Sequence, residues 1–243
     1  MKNLFSFPVI KRSIKSSWLL VLISIISMAA NYFIWVSEAG VDNDGMQLLK
    51  VFETGISGNG LIYAPILAIF FAIILVTNEV DRGTLTVTLS TPTTRLQILL
   101  SKMLVFIFSI VLVCIATGIV SSAAVLISDV NFVFDKWWNI IVLWTLYSFA
   151  IGSIAFFISC WFNKFKYSLA ISALVLGAFF VFGLLAQNES TEFFKYLTLQ
   201  TLVDLPAVIE GKTVAWQMIA LPAIAVPFYI IGIIKFVKKD LPI

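Results

Sequence analysis

Of the 243 residues, 60% are hydrophobic and 12% are charged, with a net charge of +3; soluble domains run at roughly 45–50% apolar and about 25% charged, so a water-soluble globule is excluded and an integral membrane protein is implied. Six spans of about 20 residues would occupy roughly half the chain and leave loops too short for a soluble catalytic domain of about 100 residues. The chain has no histidine, which removes Ser-His hydrolases and His-ligated zinc or haem, and no dense basic run interleaved with aromatics, which removes nucleic acid as a partner.

In chain order, Phe7, Ile10 and Ile14 share one helical face, with Lys11, Arg12 and Lys15 on the neighbouring one, and Pro8 suits a first turn. This predicts a short basic amphipathic helix, Phe7–Ser16, lying on the inner leaflet as an anchor before the chain turns in at Trp18. The first apolar run is Trp18–Val36. Small residues in Ser37-Glu38-Ala39 have cleavage-site spacing, but the run exceeds the apolar core of a signal peptide and is expected to remain as a span. Asn31 within it needs a hydrogen-bond partner, and Tyr32 and Trp35 lie close in sequence. The second run, Leu61–Thr77, is bordered by Gly58-Asn59-Gly60 and carries Pro65, which predicts an irregular outer end.

The loop Asn78–Lys102 follows. Thr94 with Gln97 three residues on is a capping box. It should start a helix that runs through Lys102 into the third run, Met103–Ser128, while Pro92 breaks the chain just before it. Thr84, Thr86, Val87 and Thr88 are β-branched, so periodicity alone allows a short strand there. The remaining runs are Trp137–Phe162, Ser168–Ala186 and Val214–Phe236, the last carrying Pro222 and Pro227. Cys114 and Cys160 fall inside apolar runs without a CxxC pair and read as small buried hydrophobes, with no metal site. Small residues four apart at Gly118/Ser122, Ser148/Gly152, Ser168/Ser172 and Ala173/Gly177 read as internal packing contacts. The segment Gln187–Thr213 holds Phe193, Phe194, Leu197, Leu202 and Leu205. That is too apolar for a free loop and predicts one or two short helices broken at Pro206. Gly211-Lys212-Thr213 echoes a phosphate-binding loop, but Pro206 stands where its first glycine is required, so no nucleotide is expected on this chain.

Glu79, Gly83-Thr84-Leu85, Leu89, Thr91-Pro92, Arg95 and Lys102, in this order between two spans, resemble the cytoplasmic loop of ABC-2 type transporter permeases. The resemblance extends to the expected architecture: an all-α membrane domain over residues 1–243, with an elbow helix, six spans, both ends inside and short re-entrant helices before the last span. It implies that this loop carries a short coupling helix touching a separate ATPase subunit, which would hold ATP and magnesium; the contact residues are then Glu79, Arg82, Gly83, Thr84, Leu85, Leu89, Thr91, Pro92 and Arg95, with Arg82 and Arg95 offering charge to the ATPase and Glu79 able to pair with either arginine or with Lys102 inside the permease. It further implies a second permease half and a path lined by the first, second and fifth spans. That set picks out Asn31, Tyr32 and Trp35 with Phe179 and Phe180. Compact permeases of this kind resemble exporters of membrane-active peptides, including bacteriocins and phenol-soluble modulins, in the plasma membrane of bacteria.

The charges give an orientation. Twelve of the sixteen Lys and Arg lie in 1–17, 78–102, 163–167 and 235–243, against Lys50, Lys136, Lys195 and Lys212 elsewhere. The positive-inside rule therefore puts both termini in the cytoplasm. Ten of the thirteen acidic residues lie in the opposite loops; Glu79, Asp81 and Asp240 are the exceptions. No charge falls in mid-span, which argues against a proton-driven carrier. A membrane immunity protein that sequesters a toxic peptide and an ATP-independent secondary carrier are the rival readings.

Overall fold

The computed structural model describes residues 4–39, 45–85, 93–127, 132–186 and 189–239. Among them every regular element is helical, and six helices are long and apolar enough to cross a membrane. The first is α1 (Phe7–Ala39). The second is a composite of α2 (Gly45–Gly55), a π-helical turn (Ile56–Gly60), α3 (Leu61–Ala72), a second π-turn (Ile73–Thr77) and α4 (Asn78–Asp81). Then come α5 (Arg95–Ile127), α6 (Phe134–Trp161) and α7 (Phe165–Leu185). Two 3-10 turns (Glu189–Leu197 and Gln200–Leu202) and α8 (Leu205–Ile209) precede the last long helix, α9 (Ala215–Lys238). Each of the six apolar runs coincides with one of these helices.

Three expectations are corrected. The separate elbow is absent: α1 runs unbroken through Trp18. No Gly or Pro interrupts it after Pro8, and its first turn is tied to α5 where the backbone N–H of Ser6 donates to Ser101 Oγ at 2.9 Å. The second span does not begin at Leu61 but continues outward to Gly45, with Gly58-Asn59-Gly60 absorbed into a π-turn. Pro206 opens α8 instead of breaking it: Asp204 caps that helix by accepting the Ala207 N–H at 3.1 Å, and Pro206 occupies the first turn. The same helix explains Gly-Lys-Thr. Lys212 N–H donates to the Ala207 carbonyl and Gly211 N–H to that of Val208, with Gly211 at φ +77°. These are the bonds of a Schellman stop signal, not of a phosphate cradle.

The centre of the bundle is α6, which packs most extensively on α9 and α3, then on α5 and α7. It is apolar all round, as a central helix must be, and its small residues let neighbours approach closely. A Cβ on Gly152 would stand 2.9 Å from Ile110 Cδ1 and 3.2 Å from the Phe106 ring. Its buried hydroxyls bond back along the helix, Ser148 Oγ to the Trp144 carbonyl at 2.8 Å and Ser153 Oγ to that of Ala150 at 2.6 Å, so they enter the core without orphaned donors. Phe106 of α5, Phe156 of α6 and Tyr229 of α9 close the centre as one aromatic cluster. The helices α1 and α7 lie at the periphery, mostly unburied, and α1 packs in parallel along α5. Of the small-residue pairs, the first three contribute inward-facing positions, with Ser168 and Ser172 buried, whereas Ala173 and Gly177 lie on the outer surface of α7.

This packing separates two otherwise similar substitutions. Gly152→Val should destabilise the protein by about 1–3 kcal/mol through overpacking. Gly177→Val, where a Cβ meets nothing within 4 Å, should change stability by no more than about 0.5 kcal/mol. Unfolding titrations of the two variants in mixed detergent micelles measure the contrast.

Candidate functional site at the base of the second-to-third span loop

The site begins with a backbone problem. Asn78 N–H bonds five residues back to the Ile73 carbonyl. Switching from i→i+4 to i→i+5 bonds and back leaves one carbonyl in the turn without an amide partner. In a membrane such a group needs another donor. Lys102, in the second turn of α5, brings a donor into that turn: its Nζ donates to the Leu75 carbonyl and to Glu79 Oε2, the latter at 2.6 Å. The Lys102 side chain is 1% exposed and that of Glu79 is 11% exposed. Arg12 of α1 reaches the other Glu79 oxygen, Nε to Oε1 at 3.9 Å. The carboxylate thus joins the first, second and third spans.

The remaining spans meet at the same level. Asp81 Oδ2 accepts the Phe165 N–H at 3.0 Å and so caps the start of α7 from another element. Thr77 Oγ1 lies 3.1 Å from Ser168 Oγ and 3.2 Å from the Ser159 carbonyl. Arg95 Nη1 donates to the Lys239 carbonyl at 2.9 Å, and Lys239 Nζ donates to the Cys160 carbonyl at 3.2 Å. Partial burial, helped by nearby Lys235, lowers the Lys239 ammonium to about 8. All six spans are therefore tied at the end of the bundle that carries residues 6 and 239. The two acidic residues within the described residues that depart from the charge sorting, Glu79 and Asp81, are both internal partners.

The loop itself is framed on both sides. At its entrance, Gly83 has φ +69° and closes α4 through a bond to the Val80 carbonyl, a conformation that disfavours any side chain. At its exit the capping box is present: Thr94 N–H donates to Gln97 Oε1 at 2.9 Å, and Gln97 N–H to Thr94 Oγ1 at 3.2 Å. Of the residues assigned to ATPase contact, Arg82 and Gly83 face outward and Thr84 is half-buried. Leu85 is packed into the core, Glu79 faces the ion pair and Arg95 braces α9. Leu89, Thr91 and Pro92 lie outside the described residues. In α1, Lys11, Arg12 and Lys15 are exposed on the first turns.

The residues assigned to a path are not gathered in one place. Tyr32 is 2% exposed and stands edge-on to Phe52 at 5.1 Å and Trp137 at 5.6 Å, in an aromatic cluster at the opposite end of the bundle. Asn31 satisfies its amide on its own helix, Nδ2 to the Ser27 carbonyl at 2.8 Å. Trp35 lies in α1, with its side chain outside the description. Phe179 and Phe180 are half-buried on α7, which makes no substantial contact with α1. Phe180 instead lines a cleft of about 540 Å³ between α7 and the outer π-turn, with Thr54, Ser57, Asn59, Gln200 and Thr201 as its polar wall. Gly183 makes that wall possible, since a Cβ there would fall 1.7 Å from Gln200 Oε1. In the same π-turn the Gly60 carbonyl accepts Trp144 Nε1 at 3.1 Å.

Sequence reading offers Lys102 as one of three partners for Glu79 but does not bury it, and it misses α2 altogether. Leu48, Leu49, Phe52 and Ile56 carry the helical spacing that marks it, and all four are buried. The composition and architecture define a multi-pass helical membrane protein. A family described as "Protein of unknown function (DUF2705)" matches residues 14–242, and the chain belongs to it. No curated protein matches the chain.

The buried pair makes a prediction. Lys102→Met removes the nearest cation from Glu79 and a bond from the Leu75 carbonyl and should cost about 3–5 kcal/mol. Adding Glu79→Leu should recover most of that, less about 1 kcal/mol for the bond lost at Leu75. Unfolding titrations of both single variants and the double variant measure the coupling, and strict additivity would show that the two side chains do not act as a pair.

Proposed function

We propose that the chain is the membrane subunit of an ATP-driven exporter of the ABC-2 type, in the plasma membrane of a bacterium, with both termini and the loop between α4 and α5 in the cytoplasm. A separate ATPase subunit docks on the outward-facing part of that loop and holds ATP and magnesium. This chain carries out no chemistry; it turns movement of the ATPase into rearrangement of its spans. A second permease half completes the path, and the cargo is hydrophobic or amphipathic, with membrane-active peptides as the foremost class.

The observation that carries this reading is the position of the loop. Its two flanks are joined by the Lys102–Glu79 pair, and that pair sits in the layer where all six spans are tied together. A push on the loop from outside would therefore reach every span through polar contacts, buried at Lys102 and Thr77 and more open at Arg12, Asp81 and Arg95, which is what a coupling element requires. Arg82 and Gly83 are the described positions of the motif that face outward. The polar cleft beside Phe180, between the second and fifth spans, supplies an opening in the opposite half for a partly polar cargo.

The test starts from the neighbouring reading frames, where this reading expects an ABC ATPase without spans, and is co-purification of that ATPase with this chain in detergent. The parent should bring down the ATPase and stimulate its hydrolysis in lipid. Arg82→Glu should insert and unfold like the parent, because exposed charges contribute little to stability, yet lose most of the bound ATPase. An ATPase that never associates, or that associates equally well with Arg82→Glu, overturns the docking assignment. Orientation is read separately: single cysteines replacing Lys164 and Lys136 should be labelled from the cytoplasm and from outside, respectively, by an impermeant reagent.

A further inference from the structure

Along the membrane-facing side of the bundle, α1 and α5 leave a groove of about 430 Å³ between them. Ile14, Trp18, Leu22 and Ile26 form one wall, and Phe108 and Leu112 form the other. Ser17, which also borders it, has its hydroxyl turned back to the Ser13 carbonyl at 3.0 Å, so the groove presents no unsatisfied donor there. From Ile14 to Ile26 the helix rises about 18 Å, close to the roughly 15 Å depth of one leaflet's hydrocarbon. Lys15 and Lys11 continue the stripe of Trp18 and Leu22 at helical spacing, one and two turns beyond respectively, and both are exposed. Arg12, on the adjacent face, is turned to Glu79 instead.

We infer that this groove binds one anionic phospholipid, its acyl chain along Ile14–Ile26 and its phosphate between Lys11 and Lys15. The apolar floor matches a single chain in length, and the two cations stand where the headgroup begins. A second copy of the protein is a poorer occupant, because two such faces brought together would oppose their lysine pairs. A zwitterionic lipid fills the groove equally well but gains little from the lysines, whereas each lysine near a surface favours an anionic lipid by about fivefold. The inference is independent of the permease reading and holds whether or not the chain moves a cargo.

Native mass spectrometry of protein released from nanodiscs of phosphatidylcholine mixed with phosphatidylglycerol tests it. The parent should retain phosphatidylglycerol in preference to phosphatidylcholine. Lys11→Gln with Lys15→Gln should weaken that retention by roughly 30-fold, while Lys164→Gln with Lys166→Gln, an equal loss of charge at the same end of the bundle, should not change it. Leu112→Trp, which fills the groove and leaves every charge in place, should abolish retention in protein that still elutes as the parent does. Equal losses from the two lysine pairs would reveal a diffuse basic surface and overturn the site. Retention unaffected by Leu112→Trp would also overturn it, as would a Leu112→Trp variant that changes oligomeric state, since the groove would then belong to a protein contact.

Discussion

A helix that crosses a membrane has to satisfy its backbone from within, and the second span of this protein breaks that rule twice. Each of its π-turns widens the ladder of bonds, and at each turn a side chain from elsewhere donates to a backbone carbonyl. Trp144 reaches Gly60 at one end and Lys102 reaches Leu75 at the other. The rest of the fold is arranged around these two donors. Trp144 lies on the central helix, so the outer turn is fixed to the core. Lys102 is a cation that would be costly in this position without a counter-charge, so the inner turn brings Glu79 with it, and Glu79 in turn holds Arg12. A local irregularity in one span thus fixes the relative positions of three.

How much of this the amino-acid sequence reveals depends on the range of each interaction. The six spans are legible because twenty apolar residues admit few other interpretations, and the start of α5 is legible because Thr94 and Gln97 satisfy each other across one turn. Gly83 is legible for the same local reason. The continuity of α1 through Trp18 is not, since a basic amphipathic stretch reads alike whether it lies on a membrane or prolongs a span; the bond from Ser6 to Ser101 decides it. The π-turns are also hidden. The Gly58-Asn59-Gly60 triplet reads as a loop until Trp144 is found at its carbonyl.

The loop beneath Glu79 shows the same division. Its contact residues fall within one short stretch of sequence, but they divide in space into those that face out, Arg82 and Gly83, and those that hold the base together, Glu79, Leu85 and Arg95. A motif of this kind combines a surface with its foundation. Tyr32 illustrates the converse. Membership of the first span would set it beside a path, yet its side chain is enclosed by Phe52 and Trp137, because α2 doubles back over it.

The lengths of α1 and α5 have a mechanical consequence. Each has 33 residues, a rod of about 50 Å where the hydrocarbon is only about 30 Å thick. Held side by side, with Ser6 bonded to Ser101 at one end, the pair either tilts as a unit or stands about 20 Å proud of the hydrocarbon. At the end that carries Ser6, the excess keeps the first turns of α1 in the polar zone, where Lys11, Arg12 and Lys15 are exposed.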